Sequence, residues 1–174
     1  MTTSVWQTSR FSIDLTQPKV MAIVNLTPDS FSDGGQHTHL KQALDHAQTM
    51  LAQGADILDI GGESSRPGAK SVSLDEELAR IVPFIKEALR WHVPLSVDTA
   101  KPDVMKVVLD MGVDIVNDIW ALRQAGAVEV VSQHAGCGVC LMHMHRDPQT
   151  MLAQPMKGDA LSEVKDFLSQ RLQV

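Results

Sequence analysis

Cysteine is scarce: the 174 residues contain two, beside seven histidines, so no disulfide framework can hold this chain. Long apolar runs are missing as well. Nothing approaches the roughly 18 residues that a membrane helix requires, and residues 1–19, MTTSVWQTSRFSIDLTQPK, lack the unbroken apolar stretch of a secretory leader. There is no excess of basic charge. The formal net charge is −6 and the pI about 5.5, which excludes the electrostatic footprint of a nucleic-acid binder. An anionic ligand would have to be held by local groups, because the overall field repels it. No residue-level repeat and no low-complexity tract is present. These absences lead us to expect a soluble, cytoplasmic protein whose partners are small molecules, not nucleic acid or membrane.

What is present looks globular. Hydrophobic residues make up 44% and charged residues 21%, ordinary values for a folded domain, and the length suits one domain or part of one. Short β-branched runs alternate with longer stretches of helical period, the pattern of βα units around a parallel sheet. Strands are expected at Val20 to Val24, Ile57 to Ile60, Leu95 to Val97, Ile115 to Val116 and Gly138 to Met142. Leu40, Ala43, Leu44, Ala47, Met50 and Leu51 form a helical stripe that Gly54 should stop. Ser73 and Glu76 form a capping box ahead of Leu78, Ile81, Val82 and Ile85, and Pro83 should kink or shorten that helix. Pro102 and Asp103 suit the first turn of a third helix, with Val104, Val107, Val108 and Met111 inward and Gly112 at its end. The segment after Val128 is weakly periodic. Ala160 to Leu172 reads as a last helix with Leu161, Val164, Leu168 and Leu172 on one side.

Nearly every expected strand runs into polar residues at its C-terminal end: Asn25, the loop from Gly61 to Arg66, Asp98, Asn117 with Asp118, and His143. Ligands sit at those ends both in a (β/α)8 barrel and in a doubly wound open sheet. No G-x-G-x-x-G follows the first strand, which counts against a dinucleotide fold. The first loop, NLTPDSFSDGG from Asn25 to Gly35, has one large apolar side chain, Phe31, and the composition of a closing lid. A plain solvated turn would use the same residue types. In the second loop, GGESSRPGA from Gly61 to Ala69, paired glycines let backbone approach a ligand, and Ser64, Ser65 and Arg66 offer hydroxyls and a phosphate-matching fork. A surface ion pair between Glu63 and Arg66 is the alternative. Asp98 and Asn117 would point into the mouth, where a carboxylate and an amide suit a heterocycle rich in N–H groups and ring acceptors. Their alternatives are a helix cap for Asp98 and a turn for Asn117 and Asp118.

VMAIVNLTPDSFSDGG (Val20 to Gly35) and GADILDIGGESSRPGA (Gly54 to Ala69) closely resemble the two signature segments of the dihydropteroate synthase family, and LSVDTAKPDVM and DIVNDIW follow in the family's order. The resemblance implies a TIM barrel of which about five βα units are present, with residues 1–19 as a lead-in and residues 20–174 as a single partial pterin-binding barrel domain. It implies a Mg²⁺-assisted condensation of a pterin pyrophosphate with p-aminobenzoate, and a homodimer. By the same resemblance Asn25 contacts the metal and pyrophosphate, and Ser65, where many relatives carry Thr, touches the pyrophosphate arm. Arg66 lies near p-aminobenzoate and the leaving group, and Asp98 and Asn117 bond the pterin. Phe31 and Pro67 shape the p-aminobenzoate pocket, and Met142 packs on the pterin. Asn25, Arg66 and Asp98 form the catalytic set.

The C-x-x-C of Cys137 and Cys140 lies at the fifth strand, where positions three apart face opposite sides, so two separate structural thiols are expected. His143 and His145 have no convergent third ligand and read as rim polarity. A barrel needs eight strands and about 250 residues. The expectation is therefore a truncated chain that is inactive and prone to associate when isolated. A pterin-binding domain of a methyltetrahydrofolate-dependent methyltransferase and a non-catalytic remnant are the competing readings.

Overall fold

The computed structural model describes residues 4–27, 36–64, 66, 71–145, 156 and 158–174. Most of the lid-like loop, including Phe31, lies outside the described residues, and so do Ser65 and Pro67. The chain opens with an antiparallel hairpin, β1 (Val5–Gln7) and β2 (Ser12–Asp14). Then come β3 (Met21–Asn25), α1 (Gln36–Ala52), β4 (Ile57–Gly61), α2 (Leu74–Ala88), β5 (Leu95–Asp98), α3 (Pro102–Asp110), β6 (Ile115–Asp118), α4 (Ala127–Ser132), β7 (Gly138–Leu141) and α5 (Ala160–Arg171). Strands β3 to β7 make one parallel sheet in sequence order, as expected when each strand is followed by a helix that returns the chain.

Alternate strand residues face opposite sides of the sheet. Val24, Leu58, Ile60, Leu95 and Val97 face the helices and pack with Ala43, Ala47, Ile81, Phe84, Ile85, Val104 and Val108. The other face is layered. Ile57 and Ile115 join Trp6, Phe11, Ile13 and Met21 in an apolar floor supplied by the hairpin. Trp6 lies so close to Gly138 that a Cβ there would meet its ring at 3.1 Å. Above the floor, Asp59 stands opposite Ser96 and Ser96 opposite Ile115. The layer nearest the C-terminal rim is Asn25, Gly61, Asp98, Asn117 and Cys140, in unbroken register across all five strands.

The hairpin is locked down by one buried carboxylate. Asp114 is fully buried and accepts from Arg10 Nη2 at 2.5 Å, Arg10 Nε at 3.2 Å, Ser9 Oγ at 3.2 Å and the Leu95 N–H at 2.9 Å. Arg10 also donates to the Leu89 and Val93 carbonyls. Sequence periodicity did not announce β1 and β2, because strands of three residues are too short to show alternation.

The helix signals hold with some revision. Ser73 accepts from the Glu76 N–H at 3.2 Å and caps α2. Gly54 and Gly112 take φ of +102° and +97°, the left-handed turn that ends α1 and α3. Pro83 does not shorten α2, which runs through it to Ala88. Pro83 and Ala79, whose carbonyl it leaves unbonded, both lie on the exposed face, where water can serve that oxygen. On α3 the buried set is Val104, Met105, Val108 and Leu109, because α4 covers a second side through Met105 and Leu109. On α5 the expected stripe is covered only in its middle: Val164 and Leu168 are half-buried, whereas Leu161 and Leu172 are 76% and 78% exposed. The helix also docks through Phe167, edge-on to His143 at 5.0 Å, and through Arg171. The first four inner strands also run further than expected at their rim ends, so Asn25, Asp98 and Asn117 belong to the ladder itself, while β7 stops at Leu141, one residue short of the expected Met142.

Candidate functional site

Period-two geometry puts Asn25, Asp98 and Asn117 on the same inner face at the same height. Between Asn25 and Asp98 stands Gly61. The position a Cβ would take there lies 3.5 Å from Asn25 Oδ1 and 3.9 Å from Asp98 Cβ. Both side chains thus converge over one glycine, which leaves the space between them open. A ring could lie across Gly61 with polar groups at both edges.

Asp98 is no helix cap. Lys101 is the N-cap of α3 and its side chain makes no capping bond, while Thr99 Oγ1 accepts from the Lys101 N–H at 3.3 Å. Asp98 is instead a half-buried acid among acids. Burial, then the charges of Asp59, Asp118, Glu77 and Glu63, raise its pKa from 3.8 to about 7. A carboxyl that titrates near neutrality in a polar mouth is a functional candidate on physical grounds.

Asn117 and Asp118 divide the two readings between them. Asp118 makes the turn. It is fully buried, accepts from the Trp120 and Leu122 N–H groups at 2.8 and 2.7 Å, and has its pKa raised by burial against the pull of those bonds. The turn holds Ala121 and Leu122 at φ of +53° and +57°, a strained region for residues with side chains. Arg171 of α5 donates to both of their carbonyls, at 2.7 and 3.1 Å. Asn117 faces inward, and its Nδ2 donates to Asp59 Oδ2 at 2.9 Å.

The alternative reading of the second loop, an ion pair between Glu63 and Arg66, gives way to a different pair. Glu63 pairs with Lys101, which also donates to Glu77 Oε2 at 2.5 Å. Burial works against the Lys101 charge, but these bonds outweigh it and hold its pKa above the ordinary lysine value. Gly62 is required beneath this network, because a Cβ would lie 2.8 Å from Ile81 Cγ2 and 3.2 Å from the Glu77 carbonyl. Arg80 donates to the Gly62 carbonyl at 2.7 Å. The start of the second loop, Gly62 and Glu63, is thereby pinned to α2 and α3. Arg66 is exposed, with its N–H on Ser64 Oγ at 3.4 Å. Met142 lies just past β7, 39% exposed, two residues beyond Cys140 of the rim layer.

Cys137 and Cys140 fall on opposite faces, as strand geometry demands. Cys137 packs with Met105, Leu109 and Val116, whereas Cys140 stands beside Asn117 on the inner face. Both are free thiols; burial raises both pKa values, that of Cys137 to about 11. His145 lies 3.6 Å from Glu163. Among the described residues no cluster of three or more His, Cys, Asp or Glu side chains is arranged to hold a metal.

Sequence reasoning missed Asp59, Ser96, Glu77 and Lys101. Asp59 carried a usable signal: it is a carboxylate inside the apolar run Ile57–Gly61, two residues before Gly61 and so on the same face. The Glu77–Lys101 bridge joins two different helices and had none.

The chain matches the family model described as pterin binding enzyme over residues 21–174. It is 50% identical to a dihydropteroate synthase of Neisseria meningitidis serogroup B, over 98% of this chain and 61% of that protein. A dihydropteroate synthase of Escherichia coli is 46% identical over 92% of this chain and 57% of its own length. A Yersinia pestis dihydropteroate synthase solved in complex with a sulfonamide drug superposes with a TM-score of 0.89 at 44% identity, covering 98% of this chain and 62% of that one. A Burkholderia cenocepacia dihydropteroate synthase complexed with 7,8-dihydropteroate gives 0.85 at 45%, covering 98% and 57%. The chain thus spans about 60% of the length of the relatives it matches. Its five parallel βα units are part of a TIM barrel. With the family model matched from the first inner strand to the last residue, this chain belongs to the pterin binding enzymes.

Proposed function

We propose that this chain serves dihydropteroate synthesis: 6-hydroxymethyl-7,8-dihydropterin pyrophosphate and p-aminobenzoate condense to 7,8-dihydropteroate, with release of pyrophosphate and a proton. The observation that carries the reading is the rim layer in which Asn25, Asp98 and Asn117 face one space over Gly61. Relatives that superpose on this wall hold 7,8-dihydropteroate or a sulfonamide.

The chemistry fits the groups at hand. The pterin ring lies between Asp98 and Asn117, which bond its polar edge. The bond between the exocyclic carbon and the bridging oxygen breaks, and pyrophosphate leaves with the electron pair. The amine lone pair of p-aminobenzoate then forms the new C–N bond, and the amine proton goes to solvent. Asp98 in its ionised form stabilises the positive charge that develops on the pterin. Ligand N–H groups favour that ionised form, so binding at pH 7 should release part of a proton from Asp98. Arg66, exposed beyond the pinned start of the second loop, together with Ser65, takes the pyrophosphate arm and the leaving group. Phe31 and Pro67 shape the p-aminobenzoate side, and Met142 covers the pterin.

Mg²⁺ fits as a cofactor held mainly by substrate. Asn25 Oδ1 is a hard oxygen donor left uncovered beside Gly61, and Mg²⁺ keeps several waters and needs few protein ligands. When bound, it neutralises pyrophosphate charge and so improves the leaving group. The setting proposed is cytoplasmic, and the assembly a homodimer.

Isothermal calorimetry with the pterin pyrophosphate tests the reading. Saturable heat is expected, with an enthalpy that depends on the buffer near pH 7 because a proton is released. Absence of heat overturns it. Saturable binding of a methylated tetrahydropterin, with no dependence on p-aminobenzoate, would instead favour a methyltransferase pterin domain.

A further inference from the structure

Asp59 has no structural reason to be where it is. Its side chain is 5% exposed inside a strand whose other residues are apolar or glycine. Among the described residues one oxygen, Oδ1, has no hydrogen-bond partner, and neither has Ser96 Oγ, which sits opposite it in the ladder. Leaving such groups unbonded costs about 1–3 kcal/mol each, and an apolar side chain would serve the fold better. Its partner is the Asn117 amide in the layer above.

We propose, building on the pterin reading, that Asp59 is a positioning residue that sets which way round the Asn117 amide stands and thereby which ligand edge the mouth accepts. A carboxylate can only accept hydrogen bonds, whereas an amide has one donating and one accepting end. The bond from Asn117 Nδ2 to Asp59 Oδ2 therefore turns the nitrogen toward the barrel interior and leaves Oδ1 for the mouth. Asn117 Oδ1 then stands next to the Asp98 carboxylate in the rim layer. Two acceptors side by side select a heteroaromatic edge that carries adjacent N–H donors, and a ring acceptor facing Asn117 is rejected. The same carboxylate faces Asp98 from below. The other charged groups around Asp98 are Asp118 on β6, Glu77 on α2, Glu63 in the second loop and Lys101 at the start of α3, which bridges those two glutamates. After burial, Asp59 is the largest of the influences that raise the Asp98 pKa.

Two substitutions separate this role from a structural one. Asp59→Leu removes the bond and the unsatisfied oxygen, and Asp59→Asn keeps the shape while losing the charge and the one-way acceptor. In both, the Asp98 carboxyl ¹³C titration midpoint should fall below about 7 while staying above the ordinary aspartate range, because burial remains. In Asp59→Leu, the Asn117 Nδ2 protons should lose their deshielding and exchange faster. The urea midpoint should be equal or higher, and the pterin pyrophosphate should bind roughly tenfold more weakly, the loss of one oriented bond. An unmoved Asp98 midpoint, or affinity lost only in step with the folded fraction, overturns the proposal. If the ligand binds neither parent nor variants, the pterin reading fails, and the two NMR readouts still decide the role of Asp59. Should Asp59→Leu fail to fold, the midpoint of Asp59→Asn decides.

Discussion

Asp98→Asn should make this chain more stable at pH 8 while abolishing its affinity for pterin. In the folded chain Asp98 keeps its proton up to about pH 7, whereas an unfolded carboxyl releases it near 3.8. Between those values the folded state binds more protons, so stability attributable to this group is present below pH 4, falls as pH rises through the window, and is gone above 7. A difference of roughly three units, at about 1.4 kcal/mol each, sets a ceiling of ~4 kcal/mol. The asparagine amide also needs partners in the buried site, so a gain on the order of 2–4 kcal/mol is expected at pH 8. The assay is urea unfolding of parent and variant at half-unit steps from pH 4 to 8. Taking the difference at each pH cancels the titration of His134, which both proteins share. The difference should be near zero at pH 4, rise through pH 5 to 7 and then level off. A flat difference, or a variant less stable than its parent at pH 8, would refute the reasoning.

Lys101→Met should cost roughly 2–3 kcal/mol in urea unfolding, because Glu77 is 1% exposed and would lose the cation paired with it among the described residues; an unchanged midpoint would mean that the bridge contributes nothing. Arg171→Ala removes two charge-assisted bonds to the carbonyls of Ala121 and Leu122, at about 1.5–3 kcal/mol each. Hydrogen exchange should accelerate at Trp120 and Leu122 before it does in β4 or β5. Cys137 and Cys140, with pKa values raised by burial, should react with iodoacetamide at pH 7.5 much more slowly than an unfolded cysteine. Rapid labelling of Cys137 would contradict the burial described. Gly62→Ala should destabilise by about 1–3 kcal/mol through overpacking against Ile81 and the Glu77 carbonyl, read by thermal unfolding.

The parallel sheet was readable because each βα unit carries its own punctuation. The apolar strand, the polar residue at its end, the Ser73 cap and the stops at Gly54 and Gly112 are local signals, and local chemistry satisfies them. Asn25, Asp98 and Asn117 were legible for the same reason: strand ends in such sheets face the ligand. Three kinds of feature were not. The hairpin strands are too short for a period and are held by Arg10 on Asp114, a contact across 104 residues. The acidic surroundings that raise the Asp98 pKa come from four other segments that only folding brings together. Of the stripe expected to seat α5, the end leucines Leu161 and Leu172 are exposed while Val164 and Leu168 are half-buried, and an arginine and a phenylalanine add to the seat. Amphipathic spacing records which side is apolar, not what will cover it.

The most direct measurement is the ¹⁵N–¹H spectrum of the chain titrated with 6-hydroxymethyl-7,8-dihydropterin pyrophosphate. Saturable shifts are expected at the Asn25 and Asn117 side-chain amides and at the Gly61 and Asp98 backbone, with none in the outer groove between α1 and α2 at Leu44 and Trp91. Shifts confined to that groove, or none at any concentration, would contradict the assignment of the inner wall as the pterin seat.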